Sequence, residues 1–85
     1  MRHRSRTDIA GQILDVAASG PIIKSKIMYK TFLSHRLLRG YLSTLIENAL
    51  IRHIFAEDKY LTTEKGLKLL NRINELERLS QFYSI

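Results

Sequence analysis

The sequence predicts a mainly α chain with one small β-hairpin, and three observations predict it. Apolar residues recur at helical spacing over four stretches, each opened by a Ser or Thr that can cap it. Between the third and fourth, Leu50–Ile54 and Lys59–Thr62 break that period and read as two short strands around the loop Phe55-Ala56-Glu57-Asp58. The 85 residues allow one small core, and the absence of cysteine excludes a disulfide framework and a classical zinc finger.

Taken in order, residues 1–7 (MRHRSRT) show no apolar periodicity and read as a basic, flexible arm. Thr7 is the expected N-cap of a first helix over 8–19, with Asp8 set against the positive end of its dipole. Ile9, Ile13, Leu14, Ala17 and Ala18 form its apolar stripe, and Ser19-Gly20-Pro21 stops it. Ile22 and Ile23 are β-branched neighbours suited to pairing with strands further on. Ser25 is placed to cap a short helix over about 26–31 that buries Ile27 and Met28, with Phe32 a further candidate for burial. Lys24, Lys26 and Lys30 fall outside it, and Thr31-Phe32-Leu33 makes the turn that follows.

The chain is organised around the third helix, residues 34–48, with Ser34 as N-cap. Leu37, Leu38, Tyr41, Leu42, Leu45, Ile46 and, just past it, Ala49 mark its core side. The opposite side carries His35, Arg36, Arg39, Gly40, Ser43, Thr44 and Glu47. That face, basic half foremost, suits a major groove, although an ordinary solvated face explains the helix alone equally well. Gly40 in mid-helix costs about 1 kcal/mol relative to alanine. Close packing against a neighbouring helix, or mere sequence drift, is the favoured reason for it, and close approach to DNA the alternative. Two helices joined by so short a turn make a helix-turn-helix arrangement, here without the glycine often found at the joint.

Thr62 or Thr63 caps a last helix of about 64–82, roughly 28 Å long at 1.5 Å per residue. Helix, helix, helix and hairpin is the order of a winged helix-turn-helix domain. A four-helix bundle is the alternative, which the strand-like Lys59–Thr62 opposes. The expected divisions are an arm over 1–7, the winged domain over 8–63 and a C-terminal dimerisation helix over 64–85. Such a helix overshoots the domain, leaving Leu76, Leu79, Phe82 and Tyr83 in water unless a partner covers them. With Leu69 and Ile73 these form the expected interface of a homodimer. Positions 69, 73, 76, 80 and 83 give about two heptads of a coiled coil, interrupted by Ser80. Folding back onto its own domain is the alternative.

Net charge is +6, and its distribution is one-sided. Residues 1–39 carry eight Lys/Arg against Asp8 and Asp15, whereas residues 40–85 balance six against six. Phosphates reward such a surface through counterion release. Arg36 and Arg39, three apart and so on one face, can clamp phosphates or bond a guanine. Lys24, Lys26 and Lys30 suit phosphate contact. Arg2, Arg4 and Arg6 can enter a minor groove as an arm, or simply form a soluble tail.

His3, His35 and His53 are scattered without metal-ligand spacing, and no cofactor or small-molecule ligand is expected. A Gly-rich phosphate loop and a nucleophile–base set are both missing, so catalysis is not expected. Nor is a membrane span, since no apolar run reaches the necessary ~18–20 residues. The basic N-terminus leads into an amphipathic segment rather than a signal-peptide block, which predicts a cytoplasmic protein; nucleoid association is the expectation that goes with DNA binding.

KSKIMYKTFLSHRLLRGYLSTLIENALI followed by LTTEKGLKLL resembles the small archaeal winged helix-turn-helix DNA-binding proteins. The likeness covers about residues 8–76. Its most specific features are the K-[ST]-K-I-M-Y run, the Y-L-x-x-L-I-E-N core of the long helix and the T-x-K-G segment opening the last. It implies a three-helix core with a wing, dimerisation through the last helix, and double-stranded DNA as partner of a transcription regulator or chromatin component. By position, the DNA-facing surface implied falls on Ser25, Lys26, His35, Arg36, Arg39 and Ser43, with Ser34 and Gly40 beside them. The family usually has Gly where this chain has Ala49, and often one in the wing turn where Ala56 to Asp58 stand. Glu57 and Asp58 at the wing tip oppose a phosphate contact there. An architectural protein without sequence preference and a winged-helix protein-interaction module are the alternatives. RNA is a weaker one, for want of an aromatic stacking platform.

Overall fold

The computed structural model describes residues 4–83, with side chains as far as Gln81. Arg2 and His3, and the side chains of Phe82 and Tyr83, lie outside the described residues. The elements are α1 (Arg6–Val16), β1 (Ile22–Ile23), α2 (Lys24–Thr31), α3 (His35–Glu47), β2 (Ile51–Ile54), β3 (Lys59–Thr62) and α4 (Glu64–Tyr83). The helices surround a core centred on Ile13, Leu14, Ile27, Leu38 and Ile51, all of them buried.

Helix α1 begins earlier than its apolar stripe suggests, and Ser5, not Thr7, is its N-cap. The reason is a reciprocal capping box. Ser5 Oγ accepts from the Asp8 amide at 3.0 Å while the Ser5 amide donates to Asp8 Oδ2 at 3.0 Å. Arg6 and Thr7 therefore belong to the helix rather than to an arm. Arg4 is tied down as well: its Nη1 donates to Gln12 Oε1 at 2.7 Å and to Thr31 O at 2.6 Å, capping the C-terminal end of α2. Helix α1 also ends sooner than expected, at Val16. Thr62 takes up carbonyls at that end, its Oγ1 donating to Leu14 O at 2.7 Å and its amide to Ala17 O at 2.9 Å.

The sheet is three-stranded and antiparallel, in the order β1-β3-β2. Ile22 lies opposite Tyr60 and Ile23 opposite Lys59, so the isoleucine pair does find a strand further on. Ile23 is at once the end of β1 and the N-cap of α2, with extended dihedrals and no side-chain cap. Ser25 consequently sits inside the first turn of α2 and is not the cap expected of it.

At the other end of α2, Phe32 adopts the left-handed conformation (φ 56°, ψ 36°) and is 86% exposed, contrary to its candidacy for the core. The left-handed residue turns the chain so that Leu33 enters the core instead, and the Leu33 amide donates back to Met28 O at 3.3 Å. Ser34 then caps α3, its Oγ accepting from the Leu37 amide at 3.2 Å. The buried stripe of α3 is narrower than the sequence pattern, consisting of Leu38, Leu42 and Leu45. Leu37, Ile46 and Ala49 all lie outside it.

Helix α3 closes in a Schellman motif. The Ala49 amide donates to Ile46 O at 2.9 Å and the Leu50 amide to Leu45 O at 2.9 Å, with Ala49 at φ 58°. Ala49 occupies a position that suits glycine, which has no Cβ to clash there. Replacing Ala49 with Gly should raise stability by about 1 kcal/mol, measurable as a higher urea midpoint with an unchanged slope.

The T-x-K-G segment opening α4 fastens that helix to the end of α3. Thr63 Oγ1 donates to Ala49 O at 2.7 Å and accepts from the Gly66 amide at 3.0 Å. The Thr63 amide donates to Leu50 O at 3.0 Å and Lys65 Nζ to Asn48 O at 2.9 Å. Further along, Leu70 and Ile73 are buried, and a Cβ on Gly11 of α1 would lie 3.4 Å from Ile73 Cγ2. Beyond Ile73 every residue of α4 as far as Gln81 is exposed, and the chain as a whole measures 48 × 28 × 20 Å along its principal axes. No helix is long and apolar enough to cross a membrane among the described residues.

Candidate nucleic-acid interface

From Val16 to Ile46 the chain contains no Asp or Glu, yet holds Lys24, Lys26, Lys30, Arg36 and Arg39. This stretch includes all of α2, the turn and all of α3 but its last residue. Lys26, Lys30, His35, Arg36 and Arg39 are exposed together with Ser25, Ser34 and Ser43, while Lys24 is partly covered. No carboxylate of the stretch itself offsets these cations, so α2 and α3 bring an excess of positive charge to this surface.

Gly40 is exposed in the middle of α3, and a Cβ built there would meet nothing within 4 Å. Close packing against a neighbouring helix therefore does not account for it, which corrects that part of the favoured reading and leaves drift or close approach of a partner. What the glycine leaves is a bare strip of helix backbone between Arg36, Arg39 and Ser43, where another molecule can approach the main chain.

The basic N-terminus divides differently from expectation. Arg6 is exposed on α1. Arg4 is engaged with Gln12 and Thr31, so its guanidinium serves the fold and is not a free arm. Arg2 falls outside the described residues.

The wing is braced internally. His53 stacks on Tyr60 at 4.6 Å between ring centroids and meets Phe55 edge-on at 4.3 Å. His53 Nε2 also lies 2.7 Å from Asp58 Oδ1, and Asp58 takes the left-handed position (φ 51°) that glycine commonly fills. Aspartate tolerates this conformation better than most residues. Glu57 faces Lys59 at 3.4 Å, so both wing-tip carboxylates have cationic or imidazole neighbours within the hairpin. Among the described residues no three His, Asp or Glu side chains converge as a metal site.

Sequence reasoning missed the large apolar side chains left on this surface: Tyr29, Phe32 and Leu37, and Phe55 at the wing. The signal at Phe32 was the missing glycine of the joint. For Leu37, the helical period pointed to the core and gave no warning.

Of the proposed α4 interface, Ile73 is removed by the geometry: it is only 7% exposed and packs toward α1. Leu69 is half-covered by the core, and Leu76 and Leu79 are 63% and 52% exposed.

A three-helix core whose α2–turn–α3 unit is closed by a β-hairpin, with an uncovered cationic helix, defines the winged helix-turn-helix class. A family model described as winged helix-turn-helix matches residues 3–81, and the chain belongs to that family. Family membership, rather than any shortage of pockets, places it among non-enzymatic proteins. Two curated relatives come from the archaeon Methanocaldococcus jannaschii, both uncharacterized proteins. MJ0287 is 34% identical over 73 residues, which is 86% of this chain and 73% of that protein. MJ0290 is 34% identical over 76 residues, 89% of this chain but 35% of that protein, so this chain spans about a third of the longer relative. Among solved structures, the crystal structure of Sso10a-2, a DNA-binding protein from Sulfolobus solfataricus, superimposes with a TM-score of 0.84. That match covers 95% of this chain and 87% of the other at 23% identity, a likeness of fold.

Proposed function

We propose that the chain binds double-stranded DNA as a homodimer and serves as a transcription regulator, with α3 entering the major groove. The observation that carries this reading is the acid-free stretch from Val16 to Ile46, whose exposed cations sit on the two helices of the helix-turn-helix. Its fold neighbour is described as a DNA-binding protein, which supports the same direction. In this reading Arg36 and Arg39 reach base edges or phosphates from α3, while Ser25, Lys26 and Lys30 hold the flanking backbone. Ser34, His35 and Ser43 are within reach of the same groove, and Gly40 lets the backbone come close. The test is fluorescence anisotropy on random duplex and on the protein's own promoter at two salt concentrations. Affinity should fall steeply with salt, with a log–log slope of about −0.9 for each phosphate neutralised. A flat response would remove the electrostatic basis of the proposal. Equal affinity for both duplexes would favour an architectural role over a regulatory one.

The homodimer rests on α4. At about 100° per residue, Gly66, Leu70 and Ile73 face the domain, and Leu69, Arg72, Leu76, Leu79 and Tyr83 fall on an adjacent seam with 3-4-3-4 spacing. This is the spacing of a two-helix coil, shifted by the assignment of Ile73 to the core. Two such chains can set their α3 helices in successive major grooves, about 34–36 Å apart. Leu76→Glu places a charge in that seam and should convert a dimer to a monomer in sedimentation velocity. Wild type sedimenting as a monomer at tens of micromolar would refute the dimer.

A further inference from the structure

Phe32 holds a backbone conformation that glycine adopts freely and phenylalanine does not, and its ring gives the fold almost nothing in return. Tyr29, one turn back on α2, is 72% exposed, and Leu37, in the first turn of α3, is 53% exposed. These three large side chains belong to the joint of the helix-turn-helix and its two flanking turns, within the stretch of chain from Val16 to Ile46 that holds no Asp or Glu.

The joint is also stiff. The amides of Phe32 and Leu33 both return to Met28 O, Leu33 is buried, and Arg4 grips Thr31 O from the other side. The phenyl ring is thus presented to solvent on a fixed turn rather than on a mobile loop. Phe32 stands three residues before His35, so their Cα atoms are at most about 11 Å apart. A major groove is about 12 Å wide. If the N-terminal turn of α3 sits in that groove, Phe32 lies at its mouth, beside a sugar–phosphate strand and the outermost base edges.

We infer that Phe32, flanked by Tyr29 and Leu37, is an apolar DNA contact that packs on thymine methyl groups or deoxyribose carbons where α3 enters the groove. This inference rests on the DNA-binding reading above. The surrounding charge selects the occupant. Lys26, Lys30, His35 and Arg36 are exposed on the same two helices that carry Tyr29 and Leu37, and a polyanion with apolar edges satisfies both kinds of surface at once. Thymine methyls are the one apolar group that bases present in the major groove.

The experiment compares wild type, Phe32→Gly and Phe32→Asn by anisotropy on one duplex at two salt concentrations, and on the same duplex with uracil in place of thymine. Glycine and asparagine both accept the left-handed conformation, so both variants should fold, Phe32→Gly with a higher melting temperature than wild type. Both should nevertheless bind the thymine duplex several-fold more weakly, with an unchanged salt slope because no cation has been removed. A wild-type loss on the uracil duplex, matched by the variants' loss on thymine, assigns the contact to methyl groups; an unchanged wild-type affinity there assigns it to sugar. Variants that bind as tightly as wild type overturn the inference and leave the DNA-binding reading standing. Variants that change the sedimentation coefficient instead of DNA affinity overturn it in favour of a protein contact. Wild type that binds no duplex overturns both readings together.

Discussion

Gly66→Ala should lower stability by about 2–3 kcal/mol and depress the melting temperature by roughly 10–20 °C. A Cβ at this position would lie 2.2 Å from Leu50 O and 2.7 Å from Thr62 Cγ2. The nearer neighbour is a backbone oxygen, so no rotamer change can relieve the overlap. Leu50 O is moreover fixed by the Thr63 amide, and the Ala49 carbonyl beside it by Thr63 Oγ1. The substitution must pry the end of α3 from the start of α4, two elements joined by the bonds of Thr63 and Lys65. Alanine's helix propensity returns only about 1 kcal/mol, too little to offset the clash. Thermal and urea unfolding monitored by circular dichroism would measure the loss. A melting temperature within a few degrees of wild type would show that the α3–α4 junction is looser than its hydrogen bonds imply.

The largest expected effect on DNA affinity is that of Arg39→Ala. If Arg39 reads a base, its loss should cost about 1–3 kcal/mol on the preferred site and relax preference at one position. Lys26→Ala should weaken all sequences about equally and reduce the salt slope by roughly one unit. The contrast follows from chemistry, since a guanidinium can bond O6 and N7 of guanine together and an ammonium on the flanking helix meets phosphate as a point charge. Measuring both variants on specific and scrambled duplexes separates the two functional versions. Equal losses on both duplexes would replace the regulator with an architectural protein. No loss from either variant would remove the helix-turn-helix face from the function.

Much of the fold was legible because α3 is strongly amphipathic and its cap, Ser34, lies where a hydroxyl is needed. The isoleucine pair and the two hairpin strands were legible from β-branching and a broken helical period. Boundaries failed where long-range bonds set them. Ser5 outcompetes Thr7 because Asp8 can close a box only with a residue three positions earlier. Helix α1 stops at Val16 where Thr62, 46 residues later in the chain, takes up carbonyls at its end. At the candidate interface, residue type alone pointed to the exposed cations. The same reasoning could not tell a glycine packed against a helix from one open to solvent, and for Gly40 only the surroundings decide. Nor could periodicity reveal that Phe32 turns outward, because its direction is set by one dihedral angle.

Ile23 ends a strand and caps a helix with no residue between the two roles, and Ile23 is paired to Lys59 beside the wing loop. Residues 24–58, which include both helices of the helix-turn-helix, are thereby enclosed by the β1–β3 pairing. Association ordinarily loses free energy to loops and side chains that must be ordered on contact. In this domain the joint, both ends of α3 and the hairpin are already fixed by their own hydrogen bonds. With those bonds in place, the helix-turn-helix and the hairpin have little conformational freedom left to lose when a partner meets them.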